Sequence, residues 1–174
     1  MKNHDALENI YTRKSIRKYT EEEIEFSDLK QILKAAMSAP TARNKRPYHF
    51  VVVKEQEIKD KLAKAKSAAK MIEASYYSIV VCCDKDKEET IDFIHQDCAA
   101  ATQNILLASH ALNLGAVWIG VRQDDEKEFD KNIKKILDLP DNIIPVSIVA
   151  IGHPDQTREV FDTYEKEKVH FDLW

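Results

Sequence analysis

Arg13-Lys14-Ser15-Ile16-Arg17 sets three cations and a hydroxyl within five residues of a 174-residue chain whose formal net charge is -4. Such a cluster suits a compact dianion, because guanidinium forks and a hydroxyl donor match phosphate oxygens. About one helix further on stands Ala39-Pro40-Thr41-Ala42-Arg43-Asn44-Lys45-Arg46-Pro47-Tyr48. It is a polar loop with two prolines, held between an apolar helix and an apolar strand. These two segments and the order of elements around them decide the fold.

Outward from the box, Asp5 can cap a short helix with Leu7, Ile10 and Tyr11 on one face. Ser27 can cap a second helix, whose Leu29, Ile32, Leu33, Ala36 and Met37 recur at helical spacing. Pro40 stops that helix. Beyond the loop, residues 49–54 read as a buried strand and 55–65 as a helix with Ile58, Leu62 and Ala65 inward. Residues 77–83 make a second strand. Residues 97–113 are helical and apolar almost all round, with Gly115 as C-terminal cap. A helix apolar on every side is buried on every side, here in a central core or against a second subunit. Residues 117–121 form a third strand, and Phe129, Ile133, Ile136 and Leu137 mark another amphipathic helix. Residues 144–151 form a fourth strand. The segment 155–174 reads as an extended arm that needs something to pack on, because it ends in Trp174.

The bulk properties narrow the function. The length suits a single domain over 1–174, large enough to bury most of its apolar surface. No apolar run reaches bilayer length and the N-terminus lacks a signal core, so the expected location is the cytoplasm, without a membrane partner. A pI near 5.9, with basic residues interspersed among acids, argues against a nucleic-acid partner. The only glycines are Gly115, Gly120 and Gly152, so there is no glycine-rich phosphate loop. Cys82, Cys83 and Cys98 sit in apolar segments and read as reduced core residues; neighbours on a strand face opposite sides. His95, Asp97 and Cys98 point in different directions on a helix, so no metal site is expected. His110 reads as a hydrogen-bonded core histidine, and Trp118 as apolar core.

Read together, the two opening segments resemble the nitroreductase family of flavin (FMN) oxidoreductases. Members open with an Arg-[Arg/His/Lys]-Ser-[Ile/Val]-Arg box and carry a Pro-Ser/Thr-x-x-Asn-x-x-Pro loop before the first core strand. The likeness continues in the family's order. Asp97-Cys98-Ala99-Ala100-Ala101-Thr102-Gln103-Asn104 is similar to its alanine-rich helix, and Leu114-Gly115-Ala116-Val117-Trp118-Ile119-Gly120 to its Trp-Ile-Gly strand. Val149-Ala150-Ile151-Gly152-His153-Pro154 resembles its late strand and turn, and Lys168-Val169-His170 with Trp174 its ending. Two positions depart from the pattern: Arg46 stands where Gln is common, and Tyr48 where Trp is frequent. The chain is also too short for the large helical excursion of longer members, which leaves the flavin more open.

The resemblance implies an α+β sandwich with a central, mostly antiparallel sheet flanked by helices, in an intertwined homodimer with FMN at the interface. It implies that Arg13, Lys14, Ser15 and Arg17 hold the ribityl phosphate and the pyrimidine side of the ring. Pro40, Thr41, Ala42 and Asn44 would come from the other subunit. Trp118, Ile119 and Gly120 would lie along the flavin, and Arg158 would complete the phosphate pocket. No side chain is expected to be catalytic, since the flavin carries the hydride. The implied activity is ping-pong reduction of nitroaromatics, quinones or similar acceptors by NADH or NADPH. A non-enzymatic flavin-binding or sensing protein on the same fold is the first alternative. An open α/β nucleotide-binding domain, suggested by the alternating elements, is the second.

Overall fold

The computed structural model describes residues 6–122, 128–160 and 164–174, the Ser67 side chain excepted. In chain order the elements are α1 (Ala6–Thr12), α2 (Phe26–Met37), β1 (Tyr48–Val53), α3 (Gln56–Lys64) and β2 (Tyr77–Asp84). They continue with α4 (Ile91–Ala111), β3 (Gly115–Gly120), α5 (Phe129–Ile136) and β4 (Ile143–Gly152). The strands form one sheet in the order β1-β2-β4-β3, and each neighbouring pair is antiparallel. This is the expected α+β arrangement. The alternating elements do not build parallel crossovers: Val53 pairs with Ser78, so the chain leaves β1 and enters β2 at the same end. That removes the open α/β alternative.

Side-chain alternation along β2 feeds two cores. Ile79, Val81 and Cys83 face α2 and α4, while Val80 and Cys82 face α3 and α5. The central strands read as unbroken apolar runs because helices cover both faces. On α2, Leu29, Ile32 and Ala36 are buried and Met37 is open. On α5, Phe129 and Ile133 are fully buried, each worth about 1.5–3 kcal/mol of transfer free energy.

Several expectations are corrected. Asp5 lies outside the described residues. The N-cap of α2 is Glu25, whose extended backbone makes the turn without a side-chain cap; Ser27 is already helical. Helix α4 starts at Ile91, six residues early, because its first turns are exposed on one side and break the all-apolar pattern. It ends at a left-handed Asn113 (φ 61°), leaving Gly115 to begin β3. Within one chain α4 is not covered on every side, which leaves the reading in which a second subunit completes it: Gln103 and Ala111 are open, and Ala99, Ala100 and Leu107 are only partly covered. Trp118 is 38% exposed, so it is a strand-edge residue and not core. The apolar face of α1 (Leu7, Ile10, Tyr11) is open, with Asn9 the buried residue. The described part of the arm packs on little of its own chain, and Trp174, stacked on His170 at 4.3 Å, is fully exposed. Among the described residues no helix is long and apolar enough to cross a membrane.

Candidate functional site

The basic box runs beside the edge strand. Ser15 bridges Ala116 in parallel, with the Ile16 amide donating to the Ala116 carbonyl at 3.0 Å. Four residues on, Tyr19 bridges Pro154, the Thr20 amide reaches the His153 carbonyl at 2.9 Å, and the Asp155 amide reaches the Lys18 carbonyl at 3.0 Å. Two glycines permit this close approach. A Cβ on Gly115 would lie 2.5 Å from Ile16 Cγ2, and one on Gly152 would lie 2.7 Å from Tyr19 Cβ. The Tyr19 hydroxyl reaches the Ile16 carbonyl at 2.7 Å and the Ala150 carbonyl at 3.0 Å. Burial pushes its pKa well above the usual phenol range, so it stays a neutral donor.

Pinned this way, the box meets the segment after β4. Lys14, Ser15, Arg17, Thr157, Arg158 and Glu159 line one cleft of about 580 Å³. The Arg17 amide donates to Gln156 Oε1 at 3.2 Å, a second tie between the segments. A smaller cleft of about 290 Å³ shares Lys14 and Arg158 and includes His110. His110 is half-buried, 2.9 Å from Thr12 Oγ1, so it is hydrogen-bonded but lines a cleft instead of the core. Arg13 lines neither cleft; its amide continues the α1 turn to the Asn9 carbonyl.

The proline-bounded loop is a second construction. Arg43, Asn44 and Arg46 all hold left-handed backbones (φ 54°, 54° and 47°), each costing on the order of 1–3 kcal/mol for a side-chain-bearing residue. The surroundings hold them there. The Ala42 amide donates to Asp97 Oδ1 at 2.9 Å, and the Arg46 amide to Thr41 Oγ1 at 3.0 Å. Lys45 Nζ and Arg43 Nη2 reach the buried Glu88 carboxylate at 3.1 and 3.3 Å. The Thr90 amide donates to that carboxylate at 3.0 Å and is the main cause of a pKa lowered to about 2; burial opposes it and Lys45 assists. Tyr48 donates to the Met37 carbonyl at 2.7 Å and ties the loop's base to α2. Pro40 and Asn44 are exposed, and Thr41 and Ala42 partly so.

Sequence reasoning did not find Glu88 or the loop-anchoring role of Asp97. Glu88 stands in a run of charged residues and lies 45 positions from Arg43, so no local signal marks it. On β3, Ile119 is buried while Trp118 and Gly120 face outward, and nothing lies within 4 Å of where a Gly120 Cβ would be.

Box and loop stand at opposite corners of the sheet. They flank the two edge strands, three spacings or about 14 Å apart. Tyr48 pairs with Cys83 and thence with Ile144, whereas Ala116 pairs with Ile151, seven residues or about 24 Å along β4. The diagonal is roughly 28 Å. Helix α4 agrees: Asp97 holds the loop and His110 meets α1, about 20 Å apart along the axis.

The three cysteines are free and buried. Burial first, then Cys83, pushes Cys82 up to about 12, and a hydrogen bond with Cys83 followed by burial raises Cys98 further. Neither is poised as a thiolate. Among the described residues, no group of three or more His, Cys, Asp or Glu is placed to hold a metal ion.

The sequence profile of the Nitroreductase family matches residues 10–78 and 65–153. A curated relative from Archaeoglobus fulgidus is 38% identical over 174 residues, covering 98% of this chain and 99% of its own; its provisional name couples NADH dehydrogenase with NAD(P)H nitroreductase. A crystal structure from Parabacteroides distasonis under the same provisional name superposes with a TM-score of 0.91 at 33% identity, covering 98% and 99% of the two chains. A provisionally named nitroreductase from Desulfovibrio desulfuricans, solved in complex with FMN, matches with a TM-score of 0.83 at 29% identity over 98% of each chain. With most of its length inside the family profile and its box, loop and strand pattern in the family's order, this chain belongs to the nitroreductase family.

Proposed function

We propose that the protein is an FMN-dependent NAD(P)H oxidoreductase that reduces nitroaromatic, quinone or similar acceptors, acting as a cytoplasmic homodimer. One observation carries the reading: Lys14, Ser15 and Arg17 line a single cleft with Arg158, which is distant from them in sequence. Three cations and a hydroxyl fit a phosphate monoester dianion. FMN, when bound, supplies the hydride chemistry. The chain's own residues bind and orient it. Lys14, Ser15 and Arg158 hold the phosphate, with Arg13 contributing to the surrounding positive field. Arg17 places charge where negative charge would gather on the ring. Trp118, Gly120 and the Ile119 backbone between them flank the ring, and the open space at Gly120 admits a close backbone approach.

The corner-to-corner separation supports a dimeric site. Pro40, Thr41, Ala42 and Asn44 of one chain would close over the box of the other, since one chain holds the two segments roughly 28 Å apart. Affinity points the same way. Three contacts to a charged group give about 5–9 kcal/mol gross. Association costs on the order of 4–15 kcal/mol. Ring burial between two chains must supply the remainder. The open faces of α1 and α4 and the exposed Phe171, Leu173 and Trp174 at the end of the arm offer the surface for it.

The purified protein should be yellow and should oxidise NADH or NADPH steadily with menadione or nitrofurazone. Parallel initial-rate lines are expected, since donor and acceptor would use the same ring face in turn. Converging lines would reject the ping-pong order. Tight FMN without turnover would favour the flavin-binding alternative, and a colourless monomer that takes up no FMN would end the proposal.

A further inference from the structure

Three cations sit on the Thr41–Arg46 loop, but they are not equivalent. Glu88 engages Arg43 and Lys45, and the Arg43 guanidinium also lies 5.5 Å from the Phe93 ring centre. Arg46 pairs with no carboxylate among the described residues. Its Nε instead donates to Asn44 Oδ1 at 3.0 Å, while its amide holds Thr41 Oγ1. It is exposed and keeps a left-handed backbone to make both bonds. Two consequences follow. With Oδ1 already accepting from Arg46, the group Asn44 has left to offer as a donor is its amino group. Anything that touches Asn44 also lies within one side-chain length of an uncompensated guanidinium, whose remaining N–H donors suit a carboxylate or phosphate. The family's usual Gln could make the first bond but brings no charge.

We propose that Arg46 is a specificity-determining residue of the acceptor face: it orients Asn44 and selects substrates that carry an anionic group. The inference rests on the flavin site proposed above. The anion could belong to the acceptor, as a carboxylate, or to the electron donor, as the 2′-phosphate of NADPH.

The test measures kcat/KM for 4-nitrobenzoate and 4-nitrobenzamide, and for NADPH and NADH, on the FMN-loaded dimer and its Arg46→Gln variant. Comparing ratios on one preparation cancels differences in flavin content and in the acceptors' intrinsic reactivity. An acceptor-side role lowers the nitrobenzoate-to-nitrobenzamide ratio about tenfold in the variant, as expected for loss of a charge-assisted contact. A donor-side role lowers the NADPH-to-NADH ratio instead. Both ratios unchanged would overturn the inference while leaving the function intact. Absence of flavin and turnover in the wild type would bring down both. Should Arg46→Gln fail to fold, rising salt applied to the wild type decides: the affected ratio falls if the guanidinium acts, and a flat response counts against it.

Discussion

At Glu88 a carboxylate buried from water accepts the Thr90 amide and faces Lys45 and Arg43. Its folded pKa of about 2 lies below the ordinary 4.5, so folding favours the ion. That contribution to stability is complete above about pH 4.5 and is lost as the pH falls toward about 2. Wild type should therefore exceed Glu88→Gln in urea midpoint at neutral pH, with the gap closing through that acid window; a gap independent of pH would contradict the assignment. FMN retention should drop in the same variant, because the loop loses the group that holds Arg43 and Lys45. At the cleft proposed to hold the phosphate, Arg17→Ala together with Arg13→Ala beside it should weaken FMN retention, read by absorbance after gel filtration, far more than it lowers the melting temperature. Unchanged flavin occupancy would reject the phosphate site. Lys14, Ser15 and Arg17 were legible locally because their chemistry is concentrated in five residues. Arg158 was only loosely indicated, since its place depends on how the chain turns after β4.

Elements were legible where periodicity was strong and less so at their ends. Strands β2 and β4 fall within a residue of their expected bounds, and α5 spans three of the four residues expected to mark it, because burial on both strand faces and along the helix stripe imposes the pattern. The start of α4 was missed, since exposed turns carry no apolar stripe. Gly115 looked like a helix cap because glycine tolerates left-handed backbone, yet Asn113 takes that conformation. Gly115 is needed for a different reason, the approach of Ile16. Gly115→Ala should therefore push the box off β3. It should cost about 1–3 kcal/mol in denaturant unfolding and weaken FMN binding. A variant with stability and affinity intact would show that the contact is slack.

At the scale of the whole molecule, the decisive fact is that box and loop occupy opposite corners of one sheet. If each site draws on two chains, box-defective Arg13→Ala/Arg17→Ala and loop-defective Asn44→Ala subunits should complement each other when refolded together. Random pairing would restore about one site in four, read as FMN bound per chain. No recovery above the two separate variants would mean that each chain builds its own site. The same scale separates what each level of description could establish. Composition, periodicity and five ordered motifs were enough to indicate the family, the α+β class and the cluster of cations in the box, because these are properties of contiguous residues. The meeting of Arg158 with the box in one cleft, the anchoring of the loop by Glu88 and Asp97, and the distance between box and loop belong to the tertiary structure alone. They arise from residues tens of positions apart whose meeting depends on how the strands pair, and strand pairing leaves no local mark on the chain.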